Sequence, residues 1–157
     1  MVMNQISWEG IFIEQDLFQK QVDMVRKKGF TGYCRVPLFP HVTSEYAPAH
    51  PHEQWYGTEV TIWIWSYIRD EQIRPENNAD SAYTKAEGFL VKKLESDNEA
   101  LNQYLEKQDR LFHVTISFSN EAVDTNYVDC KKAVPYQLCL KGTFGGYDKE
   151  KESPVFS

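Results

Sequence analysis

The chain has 157 residues, 41 % hydrophobic and 14 % aromatic, which suits a single folded domain over 1–157 and excludes a disordered tail. The formal net charge of −6 excludes the basic stripe that a long nucleic-acid duplex requires. The short runs Arg26-Lys27-Lys28, Lys92-Lys93 and Lys131-Lys132 are diluted by acids and read as solvated surface. No apolar run approaches the roughly 20 residues that cross a bilayer, and the first ten residues lack the layout of a secretory signal. Three cysteines, Cys34, Cys130 and Cys139, form neither a disulfide framework nor metal-like spacing. The expectation is a cytoplasmic protein with no membrane partner.

In chain order, Ile6 to Ile13 reads as a strand. A helix follows from about Gln15 to Lys28, with Leu17, Phe18, Val22 and Val25 at helical spacing and Gly29 as its stop. Thr31 to Val36 and His41 to Tyr46 read as strands divided by Pro37 and Pro40, and Ala47 to Gly57 reads as an irregular loop. Glu59 to Asp70 is the clearest strand. It has Val60, Ile62, Ile64 and Ile68 on one face and Thr61, Trp63, Trp65 and Tyr67 on the other, so both faces are expected to be covered. Arg69 to Ala82 reads as a loop and Gly88 to Leu94 as a strand. Ser96-Asp97-Asn98-Glu99 has the form of a capping box opening a helix with Leu101, Tyr104 and Leu105 on one side. His113 to Phe118 and Tyr136 to Phe144 complete the strands, the latter running into a turn at Gly145-Gly146. The mixture predicts an α+β domain with mainly antiparallel sheet and no solenoid repeat.

The tripeptide His-Val-Thr occurs twice, at His41-Val42-Thr43 and His113-Val114-Thr115, and takes two of the four histidines. On a strand, alternation puts His and Thr on one face and anchors Val on the other, so each motif presents an imidazole beside a hydroxyl. A lone motif of this kind is most often a histidine satisfied by backbone. A matched pair fits acid and base catalysis, because histidine titrates near neutrality and threonine can donate to phosphate oxygens. Nothing in that scheme requires a metal or other cofactor.

With these residues the sequence resembles the 2H phosphoesterase superfamily, which is named for two His-x-Thr/Ser motifs and includes RNA 2′,3′-cyclic phosphodiesterases and enzymes that cut cyclic nucleotide signals. The resemblance spans roughly Gly29 to Tyr147. It implies a two-lobed α+β fold of pseudo-twofold antiparallel sheets with flanking helices, each lobe supplying one motif to a central cleft. It also implies metal-independent cleavage of a ribose-linked phosphodiester by His41 and His113, with Thr43 and Thr115 on the phosphate. The substrate is then a small nucleotide, a cyclic oligonucleotide or an RNA end. The family usually continues the motif with an apolar residue; Ile116 follows this and Ser44 departs from it. The alternative is a non-catalytic module of the same fold that binds nucleotides or RNA ends.

Four further residues are candidates for substrate binding. Trp55 and Tyr56 can stack on a base, against the blander reading of core or lid packing. Arg35 can meet a phosphate or form a surface ion pair. Tyr46 falls on the face opposite the catalytic pair by strict alternation, reaching the cleft only at the strand's end. His50-Pro51-His52-Glu53 resembles half a metal site, but it lacks the further ligands of a closed tetrahedral centre. Gly142 to Tyr147 is glycine-rich without the lysine and helix of a phosphate loop.

Overall fold

A computed structural model describes residues 5–73, 84–108, 111–119 and 130–157. Seven strands form a single sheet: β1 (Ile6–Ile13), β2 (His41–Tyr46), β3 (Glu59–Ile73), β4 (Thr84–Ser96), β5 (His113–Phe118), β6 (Val134–Asp148) and β7 (Ser153–Val155). Among the described residues two α-helices accompany them, α1 (Gln15–Val25) and α2 (Glu99–Glu106). The order is β2-β1-β6-β3-β4-β5, with β7 added beside β6, and each pairing is antiparallel. The expected antiparallel α+β architecture is therefore present.

The order reads the same from either end once β1, β2 and β3 are exchanged for β4, β5 and β6. Each half is strand, helix, short strand, long strand, and the long strands β3 and β6 cross over to pair with the other half. The duplication reaches single residues. Ile11 pairs with Val42 and Gly10 with Thr43, as Phe89 pairs with Val114 and Gly88 with Thr115. Glu9 and Glu87 stand one residue before these pairs, and in both halves the register shifts between the glutamate and the glycine that follows it.

The glycines are required by close approach. A Cβ on Gly88 would lie 2.8 Å from the Val114 carbonyl oxygen, and one on Gly10 would collide with that of Val42. Both obstacles are backbone, so the paired strand itself must move. Gly10→Ala is expected to destabilise the fold by about 3 kcal/mol, the upper part of the overpacking range, and urea denaturation checks it. An unchanged midpoint would mean that β2 is not held this closely.

The core is one cluster on the sheet face that carries Ile11, Val42, Phe89 and Val114, closed by Phe18 and Val22 of α1 and Leu101 and Leu105 of α2. Phe18 meets Phe89 edge-on at 5.9 Å, so the first helix packs on the second half. Helix α1 stops at Val25, earlier than expected, because Arg26 turns to extended backbone and sends its guanidinium to Glu87. Leu17 stays exposed on the outer side of α1. The cap of α2 is Asn98 accepting from Leu101 N at 3.1 Å, whereas Ser96 bonds Asn102 and the Asn98 backbone.

Strand β3 runs through Arg69 to Ile73, where a loop was expected; residues 74–82 of that expectation lie outside the described residues. Register shifts around Ile64 and Ser66 break its alternation. Tyr67 consequently joins the core cluster, opposite Phe89, and Ile68, still buried, lies outside that cluster. Trp63 and Trp65 are 43 % and 40 % exposed, so the face expected to be covered is open there. Thr31 to Val36 is not a strand of its own; only Arg35 bridges, to Phe118. Gly145 and Gly146 lie inside β6, opposite Gly10 and Glu9, and the turn follows Asp148.

Candidate active site where the edge strands meet

The two His-Val-Thr strands are the ends of the sheet, and curvature brings β2 and β5 together, with Cα atoms within 8 Å. The connection between α1 and β2 links them. Arg35 exchanges two backbone bonds with Phe118 at the end of β5, 3.0 and 2.9 Å, and Tyr33 N donates to Ser117 Oγ. Six residues later the same segment enters β2 at His41. Pro40, immediately before His41, and Thr115 line one cavity of about 220 Å³.

Register places His41 opposite Phe12 and Thr43 opposite Gly10, on the sheet face away from Ile11 and Val42. His113 opposite Leu90 and Thr115 opposite Gly88 stand on the same face of the second half. Both valines are fully buried in the core, as expected of the anchoring residue. Ser44 is 1 % exposed, so it fills a buried position like its counterpart Ile116.

Aromatic rings surround His41. Trp8 lies 4.2 Å from it between ring centroids and Phe12 6.2 Å, and Tyr147 stacks on the far side of Trp8 at 5.5 Å. Burial drives the His41 pKa below its ordinary value, opposed only in part by the bond to Phe39. That bond, Nδ1 to the Phe39 carbonyl oxygen at 2.7 Å, fixes the tautomer. A carbonyl only accepts, so Nδ1 carries the proton and Nε2 is the basic nitrogen. The unfolded chain takes up a proton at the ordinary histidine value, so this contribution to stability is present above it and falls as pH drops towards the lowered value. At the position equivalent to Trp8, the second half has Ala86.

Tyr46 departs from strict alternation. The register shift at Glu9/Gly10 skips Ser44, so Glu45 pairs with Glu9 on the core face and Tyr46 pairs with Trp8. Tyr46 is thereby returned to the His41 face, against strict alternation, and is 63 % exposed. Trp55 and Tyr56 are placed elsewhere, on the Glu9 side: Trp55 stacks on His52 at 5.2 Å and meets Tyr104 and Phe144, and the Tyr56 hydroxyl donates to Glu9. Both are half-buried and pack against the core cluster. Arg35 is exposed beside the end of β5.

Sequence reasoning missed the two buried carboxylates behind the motifs. Glu87 accepts from Nε and Nη2 of Arg26 at 2.9 and 2.8 Å, and also from the hydroxyls of Tyr67 and Ser117. Burial raises its pKa, but these bonds outweigh that and leave it lowered. Glu9 accepts His52 Nδ1 at 2.6 Å, His52 N and the Tyr56 hydroxyl. The repeated Glu-Gly dipeptide at Glu9-Gly10 and Glu87-Gly88 was the signal that would have found them. Glu9, Glu45 and His52 also form a group with metal-ligand atoms within 4.8 Å of one another. Hydrogen bonds already engage all three: His52 bonds Glu9, and Tyr104 donates to Glu45 at 2.8 Å. His50 and Glu53 are exposed and outside that group.

Set against known protein families, characterised proteins and solved structures, the chain matches none. No described helix is long and apolar enough to cross a membrane.

Proposed function

We propose that the protein is a phosphodiesterase of the 2H type that cleaves a ribose-linked phosphodiester, in a 2′,3′-cyclic phosphate or a cyclic oligonucleotide, without a metal. The observation that carries this reading is the duplicated strand pair. Two identical imidazole–hydroxyl pairs occupy equivalent positions on one sheet face, and the strands bearing them meet.

His41 acts as the base. Its Nε2 takes the proton from the attacking hydroxyl, of water or of the ribose, while Nδ1–H stays on the Phe39 carbonyl. His113 donates a proton to the leaving oxygen. The hydroxyls of Thr43 and Thr115 donate to the non-bridging oxygens as charge grows there. The assignment of His41 as base is supported by its lowered pKa, since a base must be unprotonated at working pH. The acid limb of kcat/KM is accordingly expected below the ordinary histidine value of about 6.5.

Removing one phosphate donor should cost less than removing an acid or base. Thr43→Ala and Thr115→Ala are each expected to lower kcat about 10²-fold, as for a single transition-state donor. Steady-state kinetics with KM resolved separately checks this; a pure KM effect would assign the hydroxyls to ground-state binding.

A further inference from the structure

We propose that Glu9, Glu45 and His52 bind a divalent transition-metal ion such as zinc, which ties the edge strand β2 to β1. The inference stands apart from the phosphodiesterase reading, because this group lies on the core face and His41 and His113 lie on the other.

Three segments supply the ligands. Glu9 and Glu45 are a cross-strand pair of β1 and β2, and His52 comes from the 47–57 connection, whose His50-Pro51-His52-Glu53 run offers half a site by itself. Their ligand atoms lie within 4.8 Å of one another. Zinc with ligands at about 2.1 Å in tetrahedral array sets them about 3.4 Å apart. That spacing falls between the 4.8 Å bound and the 2.6 Å from His52 Nδ1 to Glu9 Oε1, so small side-chain rotations admit the ion. Nδ1 now donates to Glu9; on loading, its proton passes to Nε2 and its lone pair turns to the metal. Both carboxylates are already oriented from outside. The Tyr56 hydroxyl and His52 N donate to Glu9 Oε2, and the Tyr104 hydroxyl donates to Glu45 Oε1. Outer bonds of this kind hold metal ligands in place.

Charge is the reason for a cation here, and the other half of the sheet supplies the comparison. Glu87 is the counterpart of Glu9, and it pairs with Ser117 where Glu9 pairs with Glu45. Around Glu87 one carboxylate meets the Arg26 guanidinium and two neutral hydroxyls, so the charges cancel. Around Glu9 a second carboxylate replaces the serine, and an imidazole stands in for the guanidinium. Among the described residues no lysine or arginine forms an ion pair with Glu9 or Glu45. Two carboxylates, one of them fully buried, are thus balanced by at most one imidazolium. A divalent ion supplies the difference. The His52 side chain is 23 % exposed, which gives the ion a way in. The imidazole favours zinc over magnesium, which demands octahedral oxygen.

Protein freed of metal by EDTA and gel filtration is titrated with zinc chloride, by calorimetry and by thermal melting. One zinc per chain is expected, with the melting temperature raised by about 5–10 °C at about 100 times the dissociation constant. Magnesium is expected to shift nothing. Glu45→Gln keeps an acceptor for Tyr104 and loses the ligand charge, so it should melt like the metal-free wild type and bind zinc about 100-fold more weakly. In the wild type itself, the ring signals of His52 are expected to be the histidine resonances that move on adding zinc. Turnover should be the same with and without zinc, so this site and the phosphodiesterase reading fail separately. No zinc binding by the wild type, an undiminished shift in Glu45→Gln, or movement at other histidines in place of His52 would each overturn the site.

Discussion

His41→Ala and His113→Ala are each expected to reduce kcat by about 10³–10⁴-fold, the upper part of the range for a positioned proton-transfer group. The two losses should not multiply in the double variant, because acid and base act in one transition state. For His41 the fold is also at stake, since its ring packs on Trp8 and its Nδ1 satisfies the Phe39 carbonyl. His41→Gln separates the two effects. Its amide can still donate to that carbonyl, so stability should be kept while turnover is lost. Denaturation midpoints beside kcat read the difference. A His41→Gln enzyme with near-normal kcat would remove His41 from the chemistry.

The largest expected effect on stability belongs to Arg26→Ala, at about 3–5 kcal/mol, the cost of leaving a buried charge without its partner. The Glu87 side chain is fully buried and that of Arg26 is 12 % exposed, so water cannot replace the guanidinium easily. Tyr67 and Ser117 would still donate to Glu87, but neither carries a charge. Glu87→Gln in the same background should recover part of the loss. The sign of the pH dependence is fixed by the lowered pKa of Glu87. Its contribution is complete above the ordinary carboxylate range and is lost as pH falls through the lowered value. Urea denaturation between pH 7 and pH 3 measures both. A loss under about 1 kcal/mol for Arg26→Ala would mean that the pair acts like an exposed surface bridge.

Local periodicity carried most of the strands and the second helix, because apolar spacing decides those elements. What it missed came from irregularities. The shift at Glu9/Gly10 reverses the face of Tyr46, and the shifts around Ile64 and Ser66 move Tyr67 into the core. Strict alternation has no means of foreseeing an extra residue in one strand. Helix α1 ended early for a tertiary reason, the capture of Arg26 by Glu87, which lies 61 residues away. Of the candidate site, the four motif residues were legible because identical tripeptides stood on two strands. The Trp8 ring over His41 and the glycines under each threonine were not, since they depend on cross-strand register.

The most direct measurement incubates the purified protein in EDTA with 2′,3′-cyclic mononucleotides, an RNA ending in a cyclic phosphate, and 3′,5′- and 2′,5′-linked cyclic oligonucleotides. His41→Gln and His113→Ala run beside it, and mass spectrometry reads the products. The account predicts cleavage of at least one phosphodiester class by the wild type, undiminished by EDTA, and none above background by either variant. No cleavage by the wild type, cleavage that EDTA abolishes, or equal cleavage by the variants would contradict it.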